Sequence, residues 1–252
     1  MGQDQNIPGE LLSRLTRFGR VVLLDTVLST NDHALSLKPG HEPAVVVARH
    51  QTRGRGRFRR PWYSDDESLT FSLLLSKETP GLPRAGMIAH VAGLALCNAI
   101  EKATGLKPLI RWPNDVMHRD QKLAGILCEG RGSAVAVGVG LNVNQTAFPD
   151  GVHDAGSLRT ATGRDWDRFE LLEGFLEEML GLLAEAGKGE TAGLLSALKE
   201  RSAVLNRRVE VATLLRRHVG TVIDLDSEGR IVLRTDAGRL VVLGAGQVRR
   251  LR

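Results

Sequence analysis

Residues 49–62 read Arg49-His50-Gln51-Thr52-Arg53-Gly54-Arg55-Gly56-Arg57-Phe58-Arg59-Arg60-Pro61-Trp62. Arginines this dense repel one another unless an anion sits among them. Glycine lets the backbone fold closely around such an anion, and each guanidinium offers a fork of donors matched to phosphate oxygens. Trp62 adds a flat ring that could stack on a base. The same composition also suits a solvated basic loop, or a patch that binds RNA without sequence preference.

Three other segments carry polar groups at unusual places. Ser29-Thr30-Asn31 offers two hydroxyls and an amide, which could read a small polar ligand or could simply cap a helix. Lys122 opens the apolar run Leu123-Ala124-Gly125-Ile126-Leu127, after the turn Trp112-Pro113-Asn114-Asp115. A buried ammonium needs a partner, so Lys122 is expected to meet an anion or a carboxylate such as Asp115, unless it sits at an exposed strand start. Gly138, Gly140 and Asn142 belong to an apolar run whose glycines leave room for a flat ligand, with Asn142 placed to read an amide or purine edge. Turn-forming glycine and asparagine would look the same.

The elements that must position these groups follow from periodicity. Short apolar runs predict strands at residues 21–24, 44–48, 68–76, 109–112, 116–118, 122–129 and 133–143. Helices are predicted from about 30, over 87–103 and 165–186, and in a shorter piece ending near 202. From residue 207 the texture changes to short β-rich runs separated by hairpin-length turns, at 209–212, 220–226, 230–235 and 239–243. The expected organisation is α+β: a lead over 1–15, a mixed domain over 16–203, and a small all-β barrel over 204–252. Leu11, Leu12 and Leu15 form an apolar patch in the lead.

Bulk composition narrows the classes. A 42% hydrophobic, 25% charged chain of 252 residues is ordinary for a globular protein, and no apolar run is long enough to span a bilayer. Two cysteines, Cys97 and Cys128, without metal-ligand spacing suit a reducing compartment, and no secretory leader is visible; the expectation is a cytoplasmic protein without membrane association.

Taken in order, five blocks resemble the catalytic domain of the biotin–protein ligase family: Ser29–Asn31, Gln51–Arg57, Trp112–Asp115, Lys122–Leu127 and Gly138–Asn142. The resemblance covers roughly residues 16–200, and the β-rich tail resembles the family's SH3-like C-terminal domain. It implies a biotin/lipoate-ligase-like fold, a mixed sheet with packed helices. It also implies an ATP-dependent reaction in which biotin becomes biotinyl-5′-AMP and then acylates a lysine of a biotin carboxyl carrier protein. On that resemblance Ser29, Thr30, Asn31 and Gln51 would bind the biotin head group, with Gly138, Gly140 and Leu127 shaping its pocket. Arg55 and Gly56 would close over biotin and the adenylate. Arg57 and Lys122 would stabilise charge at the α-phosphate and the biotin carboxyl group. Trp62, Asn114 and Asn142 would contact the nucleotide, and Asp115 would orient Lys122 or hold Mg2+.

The family loop carries a glycine where Arg59 stands here, so Arg59 is expected at a position that favours positive φ. Like charges and glycines predict that residues 53–60 are mobile when empty and ordered by biotin with ATP. Lipoate–protein ligases and octanoyltransferases share the fold, but the arginine–glycine loop and the Trp-Pro-Asn-Asp block favour biotin. Residues 1–20 are too few for a winged helix, so specific DNA binding and a repressor role are not expected. Either a monomer or a homodimer would fit.

Overall fold

The computed structural model describes residues 9–37, 43–152, 154–189 and 191–250. A seven-stranded mixed sheet is built from β1 (Arg20–Val27), β2 (Ala44–Gln51), β3 (Ser68–Ser76), β4 (Leu109–Arg111), β5 (Asp115–His118), β6 (Gln121–Arg131) and β7 (Ala134–Asn142). Its order is β1-β2-β3-β7-β6-β5-β4, with β1 parallel to β2 and the other pairs antiparallel. The helices are α1 (Gly9–Thr16), α2 (Thr30–Ser36), α3 (Ala85–Thr104), α4 (Leu158–Thr162), α5 (Arg168–Gly187) and α6 (Thr191–Glu200). A second, wholly antiparallel sheet follows, in the order β11-β10-β9-β8-β12. Its strands are β8 (Arg208–Ala212), β9 (Arg217–Leu225), β10 (Ile231–Thr235), β11 (Leu240–Leu243) and β12 (Gln247–Arg250). Among the described residues no helix is long and apolar enough to cross a membrane.

The alternation of side chains along the central strands decides where the site can lie. On β3, Leu69, Phe71, Leu73 and Leu75 enter the main core, where Phe71 meets Phe175 of α5 edge-on at 5.0 Å between ring centroids. On β7, Val135, Val137, Val139 and Leu141 enter the same core. The intervening positions belong to the other face, and there the residues are small or polar: Thr70 and Ser72 on β3, and Ala134, Ala136, Gly138 and Gly140 on β7. The helix α2 covers only part of that second face, through Ala34 and Leu35 against Val46, Leu74 and Ala136. Beyond α2 the sheet is bare, and that bare stretch is the floor of the site.

The lead is part of the fold. Leu15 of α1 is fully buried in the main core while Leu12 is exposed, and Arg14 and Arg17 pair with Glu173 of α5. The Leu11 side chain lies outside the described residues. Three short elements have no counterpart in the periodicity reading, namely α1, α4 and β12.

One carbonyl makes two of the contacts that fasten the second sheet to the first unit. Gly229, in the turn between β9 and β10, accepts hydrogen bonds from His90 Nε2 of α3 at 3.0 Å and from Trp112 Nε1 at 2.8 Å. A carbonyl only accepts, so Nε2 carries a proton. Burial pushes the His90 pKa down to about 4. Between about pH 6.5 and 4 the unfolded chain therefore takes up a proton that the fold refuses. Stability should fall by about 3 kcal/mol as pH drops through that window and level off below it. Urea denaturation of wild type and His90→Gln across this range checks the point: the variant should lack this component of the pH dependence, and parallel curves would refute it.

Candidate active site

A cavity of about 400 Å3 opens on the bare face, a size suited to an organic ligand. Its wall includes Ser29, Thr30, Asn31, Gln51, Arg55, Gly56, Arg57, Trp62, Asn114, Asp115, Lys122, Leu127, Gly138 and Gly140. Of the residues singled out from the sequence, Asn142 is the one this wall does not include.

The floor is glycine because side chains from elsewhere rest on it. A Cβ at Gly138 would lie 2.3 Å from Asn31 Oδ1, and one at Gly140 would lie 2.2 Å from Trp62 Cε2. Gly125, opposite Gly140 in the β6–β7 register, likewise faces Trp62 and the Lys122 ammonium. The glycines of β7 are thus seats for two ligand-reading side chains, which settles the choice between a turn and a close approach.

At one end of the floor the buried Ser29, Thr30 and Asn31 form the start of α2. Ser29 stands at the N-cap with extended backbone, but its side chain makes no capping bond. Gln51 Oε1 accepts from the Thr30 backbone N–H at 2.9 Å and the Thr30 hydroxyl at 3.2 Å. Asn31 Nδ2 donates to Leu127 O at 3.0 Å and to Glu129 Oε2 at 2.8 Å, and Ser72 Oγ lies 2.7 Å from Asn31 Oδ1. Thr30 and Asn31 are therefore fixed by several hydrogen bonds each, beside the buried Ser29.

At the other end Lys122 Nζ pairs with Asp115 Oδ1 at 2.7 Å, and Arg111 holds Asp115 Oδ2 at 2.9 Å and Asp154 at 3.1 Å. The alternative of an exposed, unpartnered lysine at a strand start is excluded. The Trp112–Pro113 peptide is cis, and Asn114 pins this turn to β6 through two bonds with Ile126, from its own side chain at 3.0 Å and to its carbonyl at 2.9 Å. Lys122 Nζ lies 5.5 Å from the Trp62 ring centroid, and the Trp62 indole N–H is buried without an acceptor. Trp62 thus sits on the glycine floor beside Lys122. Asn142 Nδ2 donates to Gly156 O at 2.9 Å and Lys122 O at 3.3 Å, bonds that tie it to the strand that carries Lys122.

The arginine loop arches over the cavity and is tied at three points. Arg55 makes a forked pair with Asp32, at 2.6 and 2.7 Å, and reaches Glu129 at 3.1 Å. The forked bond to Asp32 raises the Arg55 pKa and lowers that of Asp32. Arg60 donates to Gln247 at 2.7 Å, and Gly56 N donates to Arg60 O at 2.7 Å. These ties offset the repulsion from which loop mobility was expected. Phe58 and Arg59 have φ of 56° and 58°, so Arg59 does take the left-handed conformation for which the family uses glycine.

Arg57 differs from its neighbours. Its guanidinium points into the cavity wall with a carbonyl contact to Gly246 at 3.4 Å, and burial lowers its pKa. Among the described residues no carboxylate forms an ion pair with it. A half-buried cation that feels Asp115 only from beyond ion-pair distance is a seat for an anion. Four contributors were invisible to sequence reasoning: Asp32, Ser72, Glu129 and the β12 edge at Gly246 and Gln247. Arg111, four residues before Asp115 across a tight hairpin, was legible as a charge pair but not singled out.

Residues 23–145 match the Biotin/lipoate A/B protein ligase family. A biotin--[acetyl-CoA-carboxylase] ligase of Paracoccus denitrificans is 34% identical over 229 residues, covering 86% of this chain and 95% of that protein. One from Mycobacterium tuberculosis is 33% identical, covering 82% and 79% respectively. Among solved structures, biotin protein ligase from Aquifex aeolicus in complex with biotin and ATP superposes with a TM-score of 0.84 at 28% identity, covering 93% of this chain and 100% of that one. A conserved fold, a cavity built by all five motif blocks and relatives of this identity over most of the chain lead to one assignment: the chain belongs to the biotin–protein ligase family.

Proposed function

We propose that this protein activates biotin with ATP and transfers it to a lysine of a carboxylase carrier domain. The observation that carries the reading is the pair of cations at one end of a polar floor: Lys122 fixed by Asp115, and the half-buried Arg57, which no carboxylate pairs directly among the described residues. In the first half-reaction a biotin carboxylate oxygen attacks the α-phosphorus of ATP and pyrophosphate leaves. Lys122 and Arg57 stabilise the negative charge that builds on the phosphoryl oxygens. In the second, the acceptor's uncharged lysine amine attacks the acyl carbon of the mixed anhydride, AMP leaves and an amide forms.

Ser29, Thr30, Asn31 and Gln51 bind the head group, Leu127, Gly138 and Gly140 shape its pocket, and Trp62 covers it. The backbone of Arg55 and Gly56 closes over the adenylate, and Asn114 holds the turn at the nucleotide end. On this reading residues 16–203 carry the chemistry and the SH3-like sheet over 204–252 closes the nucleotide end through Gly246 and Gln247.

A protein-held Mg2+ does not fit. Both Asp115 carboxylate oxygens are engaged by Lys122 and Arg111, and no group of three metal-ligating side chains exists among the described residues. Magnesium therefore belongs to the nucleotide substrate, on its phosphates. A cytosolic setting accords with the unpaired Cys97 and Cys128. The test is incubation with biotin, MgATP and a purified carrier domain, read by mass spectrometry. Addition of one biotinyl group to one lysine is expected. An unmodified carrier, with lipoyl or octanoyl transfer instead, would favour the other branch of the fold.

A further inference from the structure

Glu129 lies outside every motif block, yet it touches both halves of the site. It is on the site face of β6, two residues after Leu127 and opposite Ala136 of β7. Its Oε2 accepts from Asn31 Nδ2 at 2.8 Å, and both carboxylate oxygens lie 3.1 Å from Arg55 NH2. Asn31 is buried at 3% exposure on the biotin side, whereas Arg55 belongs to the loop that roofs the cavity. One carboxylate therefore bridges the floor and the roof.

We infer that Glu129 is a positioning residue that couples reading of the biotin head group to closure of the arginine loop, with Asp32 as the second anchor of that loop. This rests on the biotin–ligase reading of the cavity. An isolated surface ion pair would contribute little. Here Arg55 is held twice, by the fork to Asp32 and through NH2 by Glu129, and Glu129 shares its carboxylate with the amide of the buried Asn31, which Leu127 O and Ser72 also hold. Bound by Asp32 and Glu129, the Arg55 guanidinium acts as the loop's anchor. Holding the roof down keeps water from the mixed anhydride until an acceptor arrives.

Two readouts separate this role from a merely structural one: the KM for biotin in pyrophosphate exchange, and the rate at which biotinyl-AMP escapes without acceptor. Glu129→Ala should raise the KM ~10-fold and speed escape ~10-fold, the size of one lost charge-assisted bond at each end. Glu129→Gln keeps the shape but has one acceptor oxygen, so it should restore one readout towards wild type and not both. Asp32→Asn, which loosens only Arg55, should speed escape without moving the KM. Glu129→Ala that matches wild type in both readouts would overturn the inference, as would Asp32→Asn that shifts the KM as much as Glu129→Ala. Absence of biotin-dependent exchange in the wild-type protein would instead overturn the reading of the cavity itself, and the inference with it.

Discussion

Replacing Lys122 with Ala should slow biotin-dependent pyrophosphate exchange by ~10²–10³-fold while leaving the protein folded, the range expected when one preorganised donor to a developing oxyanion is removed. Lys122 is held 2.7 Å from Asp115 and lies beside Trp62 at the mouth of the cavity, so its ammonium is fixed before any substrate arrives. Fixed charge is what makes it useful, because no reorganisation is needed as the phosphoryl oxygens gain charge. The fold should tolerate the change because Arg111 continues to pair with Asp115. Most of the loss should fall on the maximal rate, since the interaction strengthens in the transition state. Circular dichroism and a thermal midpoint within a few degrees of wild type would confirm that chemistry and not folding was lost. Exchange within a few-fold of wild type would remove Lys122 from the mechanism.

Gly138→Ala should be nearly as damaging to biotin binding, through a different link. Its Cβ would fall 2.3 Å from Asn31 Oδ1, and Asn31 cannot step aside without losing Ser72, Leu127 O and Glu129. The KM for biotin should rise ~100-fold, the equivalent of two lost hydrogen bonds to the head-group reader. Stability should fall by about 1–3 kcal/mol, as expected for overpacking. The double variant Asn31→Ala, Gly138→Ala removes the clash, so it should recover the stability and not the biotin affinity. This coupling between neighbours is measurable as a double-mutant cycle. Independent, additive effects on stability would show that Gly138 is small for some reason other than Asn31.

The two predictions also mark what could be read from the chain alone. The seven strands of the main sheet were legible because each has its own apolar run, and β3 matches residues 68–76 to the residue. The five motif blocks were legible because each concentrates its chemistry within a few neighbours. Short elements were not. β12 has one inward apolar residue, Val248, and is a strand because β8 offers it an edge to pair with. The five residues of α4 owe their helix to the Ser157–Thr160 capping box more than to any apolar stripe.

Contacts between segments remote in sequence were not legible. Glu129 is 74 residues from Arg55, and nothing local in either segment announces the pair. Trp62 was read as a nucleotide contact because it follows a cationic loop. Its seat on the β7 glycines beside Lys122 is a long-range contact that no local pattern announces. Asn142 is a related case: an amide at the end of a glycine strand could face a ligand or brace a neighbour, and its bonds to Gly156 O and Lys122 O join segments that no local pattern links.

The central claim, that this cavity adenylates biotin, is tested most directly by exchange of labelled pyrophosphate into ATP, with lipoate and octanoate run beside biotin and with no acceptor present. The expected result is exchange with biotin alone, lost in Lys122→Ala. Exchange supported by lipoate or octanoate and not by biotin would contradict the claim and move the floor formed by Asn31, Gly138 and Gly140 to a different acid.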